Sequence, residues 1–167
     1  RATAASMEYL PASRRITLKA DDEKKTNRKV TQVTLQQLGQ HFVAGGLQYE
    51  MAEAGRLGRL WAAGPGELRL LQEPGQAQQP VVARWDRELL VRPDGKNQVI
   101  SLTGAASIVA DPVGRFDADE LHIWVLEVPV ENPSVAPKAE SPPRTTIVPE
   151  RLLASGNVRL ASPQLDV

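Results

Sequence analysis

A glycine recurs inside four segments that otherwise alternate as β-strands, and this repetition limits what the chain can fold into. Each segment places Ala, Thr or Ser before the glycine and apolar residues at alternate positions after it; the glycines are Gly45, Gly64, Gly104 and Gly156. Glycine inside a strand weakens packing and is used where a strand bends or a second backbone approaches closely. Four unrelated turn glycines are the alternative interpretation. We therefore predict an all-β fold, a jelly-roll or folded-over antiparallel sheet built from irregular strand-turn-strand repeats.

The clearest copy of this pattern runs from Val99 to Glu127. Apolar or small residues occupy every second position from 100 to 110, which is the period of a half-buried strand. A turn is predicted at 111–114, followed by a second strand. The apolar phase changes along that second strand, so a bulge near Asp119-Glu120 is needed to bring both sets of side chains to one face.

Other segments give further strand predictions. Arg15–Ala20 and Val30–Leu35 both alternate and are separated by a charged run, which predicts a hairpin with a long charged tip. Val81–Val91 is predicted as one strand that carries Trp85. Gln72–Pro80 is polar and rich in turn residues, and is predicted as a hairpin tip.

Val128–Glu150 contains six prolines. Proline lacks the N–H that a sheet requires, so we predict that most of this segment is unpaired and extended. The chain is otherwise predicted to be one domain over 1–167. It begins with Arg rather than Met, which favours a segment cut from a longer protein.

Composition excludes several classes of function. Lys plus Arg and Asp plus Glu both number 20, so there is no basic excess to favour a nucleic-acid partner. Cysteine is absent, which removes disulfides, thiol catalysis and cysteine-based zinc sites. No run of about 18 apolar residues exists, so we predict no helical membrane span in this segment.

No catalytic or cofactor motif stands out, so we predict a non-enzyme without a cofactor or a metal. His41 and His122 have no partner at metal-ligand spacing, and no phosphate-binding loop or nucleophile elbow is present. Asp117, Asp119 and Glu120 form an acidic cluster that could bind a hard cation or act in acid-base chemistry. Because they lie beside a turn, a solvated surface is the favoured interpretation.

The apolar face of the predicted strands suggests a second kind of site. Aromatic residues are only 4% of the chain, so the face is lined by Leu, Ile, Val and Ala. If the two layers are held apart, such a trough can accept acyl chains, which need apolar contact and few directional groups. If the layers close together, the same residues form only a core.

The Leu102–Ile108 segment, the turn, and Gly114–Trp124 resemble the repeat of the OstA/LptA-like lipopolysaccharide-transport proteins. Ala154–Leu160 is similar to the start of another such repeat. The resemblance implies a periplasmic β-jelly-roll whose apolar groove carries the acyl chains of lipopolysaccharide and whose open sheet ends join similar domains. The 72–80 and 128–150 segments depart from that repeat, which favours one module of a larger envelope protein.

Two hypotheses follow, and both are non-enzymatic. The first is an envelope module that binds or relays lipid through an apolar groove; the predicted lining residues are Leu47, Leu68, Leu102, Ile108, Phe116, Leu121, Ile123 and Val158. The second is a structural or assembly module whose sheet edges pair with neighbouring β domains.

Overall fold

Antiparallel β-strands form almost the whole of the described chain. A computed structural model describes residues 1–21, 31–37, 40–52, 58–70, 81–110, 114–129 and 145–162. A short 3-10 turn at Pro11–Ser13 lies between the second and third strands. The strands are β1 Ala2–Thr3, β2 Ser6–Leu10, β3 Arg15–Lys19, β4 Val33–Gln37, β5 Gln40–Ala44, β6 Gly46–Glu50, β7 Arg59–Ala63, β8 Gly66–Leu70, β9 Val81–Trp85, β10 Glu88–Asp94, β11 Asn97–Ala110, β12 Gly114–Pro129, β13 Thr145–Ser155 and β14 Arg159–Ala161.

All fourteen strands belong to one sheet, which is strongly curled into an open half-barrel. The sheet has two halves that share β11 and β12. The first half-sheet has the order β2-β3-β6-β7-β10-β11-β12-β13, and the second has the order β1-β4-β5-β8-β9-β11-β12-β14. The described strands form an antiparallel meander that bends from one half-sheet to the other within β11 and β12, and across short breaks between β5 and β6, between β7 and β8 and between β9 and β10. The all-β, folded-over prediction is confirmed.

The four repeated glycines all lie on the line where the strands bend. Gly45 separates β5 from β6, Gly64 separates β7 from β8, Gly104 divides β11, and Gly156 separates β13 from β14. Gly104 and Gly156 have φ values of +79° and +68°, a backbone conformation that other residues rarely adopt. Backbone hydrogen bonds keep neighbouring strands paired along this bend line, for example Gly45 N–H to the Ala63 carbonyl at 2.9 Å.

The predicted bulge is present at the same bend line. Thr103 pairs with Glu120 and Ala106 pairs with Ala118, so two residues of β11 lie opposite the single residue Asp119 of β12. The extra residue is therefore on β11 rather than β12. The bulge lets the concave face continue across the bend, because it restores the phase of the side chains on both sides.

The predicted hairpin of Arg15–Ala20 with Val30–Leu35 is wrong. β3 pairs with β2 and β6, whereas β4 pairs with β1 and β5. The two segments lie in different half-sheets, and most of the charged run between them is outside the described residues. Val81–Val91 is likewise two strands, because Asp86 and Arg87 interrupt it at the bend.

The structure describes only the two ends of Val128–Glu150, the segment predicted to be largely unpaired and extended. Its two ends are paired, since Pro129 lies opposite Thr145 and Pro149 lies opposite Val125. Proline is tolerated here because β12 is the single partner of β13 among the described strands, and because the pairing is irregular next to Pro149. Residues 130–144 lie outside the described part of the chain. So do the predicted tips at 72–80 and 111–113, although the strands that flank each tip pair as a hairpin.

Candidate ligand groove

The concave face of the first half-sheet carries an apolar row beside the bend line. The residues of this deep row are direct register partners on successive strands and are each 6% exposed or less; they are Leu18, Leu47, Ala62, Leu89, Leu102 and Leu121. Together with buried residues of the second half-sheet they form one hydrophobic cluster. The concave sides of the two halves therefore pack against each other near the bend.

A second apolar row lies two residues farther from the bend on the same face. The residues of this upper row are also register partners; they are Ile16, Tyr49, Leu60, Val91, Ile100 and Ile123. Tyr49 is 36% exposed and the other five are half-buried. The upper row is therefore less buried than the deep row beside the bend. We call the apolar surface formed by the two upper rows the groove.

The second half-sheet has the same arrangement, and the side chains of its deep row are small except for Trp85. Its deep row contains Val33, Ala44, Gly66, Trp85, Ala106 and Ala118. Its upper row contains Leu35, Phe42, Leu68, Ala83, Ile108 and Phe116, and again consists of register partners. Phe42 and Ile108 are each 7% exposed, whereas the other four are half-buried. None of the residues in the four rows is charged.

The structure brings most of the predicted lining residues onto this concave face. Leu47, Leu102 and Leu121 are in the deep row of the first half-sheet, and Ile123 is in its upper row. Leu68, Ile108 and Phe116 lie in the upper row of the second half-sheet. Val158 differs from the others, because it lies between β13 and β14 and is 55% exposed.

Sequence reasoning missed several residues of the same rows. Leu18 and Leu89 belong to the deep row, and Phe42 and Trp85 lie side by side with ring centroids 5.8 Å apart. The alternation of β3 and β10 contained the signal for the two leucines. The contact of Phe42 with Trp85 crosses from β5 to β9, which are not neighbours in the chain, so no local pattern reveals it.

The convex face carries the charges. On the second half-sheet Glu67 forms ion pairs with Arg69 and Arg84, and the Nε atom of Arg84 lies 2.7 Å from Glu67 Oε2. A further ion pair joins Arg115 to Asp117, with Arg115 Nε 2.7 Å from Asp117 Oδ2. The hydrogen bond from Arg69 lowers the pKa of Glu67 below its ordinary value, and the hydrogen bond from Arg115 lowers the pKa of Asp117. The charged forms of both carboxylates are therefore favoured in the folded chain, and this contribution is lost as the pH falls through their lowered pKa values.

The acidic cluster does not converge on one point. Asp117 pairs with Arg115, Asp119 accepts a hydrogen bond from Asn157 Nδ2 at 2.9 Å, and Glu120 faces His122 at 3.7 Å. Within the described ranges, no group of three His, Cys, Asp or Glu side chains is placed to hold a metal ion. His122 is half-buried on the convex face, where its Nδ1 lies 2.9 Å from Ser101 Oγ.

Both ends of the meander expose apolar side chains. At the N-terminal end β2 is an edge strand, and Met7 and Tyr9 are 71% and 47% exposed. At the C-terminal end β13 and β14 are the edges, and Leu152 and Leu160 are 41% and 49% exposed. These four residues are register partners of the apolar rows, since Met7 pairs with Leu18 and Leu160 pairs with Phe116. The apolar surface thus continues to both edges of the sheet.

Among the residues that the structure describes, no helix is long and apolar enough to cross a membrane. A comparison of the chain with protein-family models and with curated protein sequences finds no match.

Proposed function

We propose that this chain is a non-enzymatic, periplasmic envelope module that binds or relays lipid through its groove. The observation that carries the proposal is the change in burial along the uncharged concave face. The deep rows are almost fully buried, while most residues of the upper rows, such as Ile100, Ile123 and Phe116, are half-buried. A hydrocarbon chain laid against the upper rows would bury this apolar surface and would require no polar partner.

The resemblance to the OstA/LptA-like repeats supports the same proposal. The repeat glycines coincide with the bend line, so the motif that carries the resemblance is the one that folds the sheet over. Membership of that family, and lipopolysaccharide as the lipid, are part of the proposal. The acyl chains of such a lipid fit the uncharged rows, and its polar portion would lie outside the groove.

A second function is favoured by the exposed edges. Edge strands with unpaired N–H and C=O groups readily pair with a strand of another chain. The edges here also expose the ends of the apolar rows, at Met7 on one side and Leu160 on the other. Pairing of β2 with an edge strand of a similar domain would bury both kinds of surface. In this alternative the chain is a structural or assembly module and binds no lipid.

Native mass spectrometry of the chain mixed with stearic acid distinguishes the two functions. If the groove binds lipid, the monomer carries one or more stearate adducts, and Ile100→Asp, which places a carboxylate on the upper row, removes them. The control is His122→Gln, a polar change on the convex face that leaves the adducts in place. If the chain is instead an assembly module that pairs through its sheet edges, the spectra show no stearate adduct. They show oligomers whose fraction increases with protein concentration, and Leu160→Lys reduces that fraction.

A further inference from the structure

Asp94-Gly95 is the single place in the sequence where a glycine follows an aspartate or an asparagine. In such a pair the backbone nitrogen of the glycine can attack the carboxyl carbon of the preceding side chain and close a five-membered succinimide ring. A residue with a Cβ atom obstructs this approach, whereas glycine does not and leaves the backbone free to adopt the required conformation. The pair is therefore a chemical feature that the proposed function does not use.

The structure places this pair in an exposed hairpin turn. Asp94 ends β10 and pairs with Asn97 of β11, so Gly95 and Lys96 alone form the connection. Gly95 has a φ of +62°, as tight two-residue hairpins require, and a Cβ atom added to it would meet no atom within 4 Å. Asp94, Gly95 and Lys96 are all exposed. Water can therefore reach both the carboxyl group and the amide that would form the ring.

Asp86 provides a contrast within the same chain. It is also exposed, and it also lies between two strands, β9 and β10. The next residue is Arg87, whose side chain obstructs the approach and whose backbone N–H donates to the Thr103 carbonyl at 3.0 Å. A nitrogen held in this way is not free to attack a neighbouring carboxyl group. Exposure of an aspartate is therefore not sufficient, and the glycine turn distinguishes Asp94.

The Asp94 side chain also holds part of the convex face together. Trp124 Nε1 donates to Asp94 Oδ2 at 2.8 Å, and the Arg151 guanidinium carbon lies 4.6 Å from the centre of the Trp124 ring. On the other side of the turn, Asn97 Nδ2 donates to Glu150 Oε2 at 2.7 Å. Arg151 and Glu150 both belong to the edge strand β13. The turn is thus connected to this edge strand by two sets of side-chain contacts.

We propose that Asp94 is a site of spontaneous isomerisation to isoaspartate, that the hydrogen bond from Trp124 slows the reaction, and that isomerisation loosens β13. In the first step the Gly95 nitrogen bonds to Asp94 Cγ, and the carboxyl hydroxyl leaves with the amide proton as water. Water then opens the ring. Cleavage of the new bond restores aspartate, whereas cleavage at the former backbone carbonyl carbon leaves the main chain running through Cγ. Nothing is oxidised or reduced, and water is the only co-reactant.

Isomerisation would change both the turn and the contact with Trp124. Isoaspartate adds a methylene to the main chain, in a hairpin whose register depends on the length of its turn. The free carboxylate is then the former backbone carboxyl group, which lies one bond closer to Cα. Trp124 loses the acceptor that orients its ring, and Arg151 loses the orientation of the ring on which it stacks. The pairing of β13 with β12 is weakened as a result.

The first test incubates the folded chain at neutral pH in heavy-oxygen water, followed by peptide mapping with mass spectrometry. Opening of the ring inserts a heavy oxygen atom, and electron-transfer fragmentation identifies the isoaspartate linkage. We expect label and isoaspartate at Asp94 and not at Asp86. Asp94→Glu, which keeps the carboxylate but cannot close a five-membered ring, should abolish both. Absence of label at Asp94, or equal label at Asp94 and Asp86, would overturn the proposal.

Trp124→Phe tests the protective hydrogen bond. A carboxylate held at one oxygen is less free to turn toward the Gly95 nitrogen, so this variant should take up label at Asp94 about tenfold faster, the factor that corresponds to one hydrogen bond to a charged group. The control is Trp61→Phe, because Trp61 Nε1 also donates to a carboxylate, Glu88 Oε2 at 2.9 Å, but does not contact the turn. Equal rates in the two variants would contradict the role of Trp124.

Hydrogen exchange tests the effect on the edge strand. The amides of β13 should exchange faster after incubation than before, because local opening becomes easier when side-chain contacts are lost. The amides of β6, which lies between β3 and β7 and does not contact the turn, should be unchanged. Asp94→Glu incubated in the same way should show no change in β13. Isomerised chain whose β13 amides exchange at the original rate would show that the turn does not hold this strand.

Discussion

Gly66→Ala is expected to lower the free energy of unfolding by about 3 kcal/mol, the upper part of the usual range for overpacking a core. The added Cβ would lie 2.2 Å from Trp85 Cζ2 and 2.8 Å from the Val43 carbonyl oxygen. Neither atom can move away easily, since the indole is buried against Phe42 and the carbonyl belongs to β5. For a chain of this size the melting temperature should fall by roughly 6–12 °C, measured by differential scanning calorimetry.

Gly46→Ala is the matched control for that prediction. Gly46 is also in a strand, but its added Cβ would meet only the Leu18 carbonyl oxygen, at 3.7 Å, an ordinary contact. Alanine costs less conformational entropy than glycine on folding, so this variant should be neutral or slightly stabilised. If the two variants melted at the same temperature, the close packing of Trp85 on Gly66 would be contradicted.

Leu121→Ala is the second large effect that we expect. Leu121 has no exposed surface and lies in the deep row between Leu102 and Ala154. Truncation of a buried leucine removes apolar contact and leaves a cavity, which costs about 2–5 kcal/mol. The change in free energy of unfolding is measured by urea denaturation. The slope m should not change, because it scales with the surface exposed on unfolding, which stays the same if the variant folds as the parent chain does.

Leu153→Ala tests whether that cost comes from the concave face. Leu153 belongs to β13 and pairs with His122, so it lies next to Leu121 in the sheet but on the convex side, and it is 43% exposed. Its truncation should cost less than about 1 kcal/mol, since surface substitutions have small effects. An equal loss in the two variants would mean that the sheet does not bury its concave face as described.

The bends of this fold were predictable from local sequence, because each one depends on a residue that allows it. Gly104 adopts a positive φ, and its presence in an alternating strand already indicates an interruption. The bulge opposite Asp119 was predictable for a related reason, since the apolar phase of β12 changes there. By contrast, the partners of β3 and β4 depend on long-range pairing. Alternation alone predicts two strands and does not say whether they pair with each other.

The apolar rows of the concave face were predictable only in part. Leu102, Leu121 and Ile108 follow from the alternation of β11 and β12, which determines the face on which they lie. The register that aligns Leu18 with Leu47 across strands is set by the whole sheet, and a single strand contains no information about it. Val158 shows the limit of this reasoning. Its spacing from Gly156 matches the other repeats, but the strand resumes only at Arg159, so its side chain is exposed.

The most direct test of the groove is site-specific photo-crosslinking with stearic acid bound. A photoreactive amino acid is placed at Ile108 or Phe116 on the concave face, and in parallel at Arg115 on the convex face, which neighbours Phe116 in β12. The groove predicts stearate adducts, detected by mass spectrometry, at Ile108 and Phe116 and not at Arg115. Adducts confined to Arg115, or no adduct at either concave position, would contradict the proposed function.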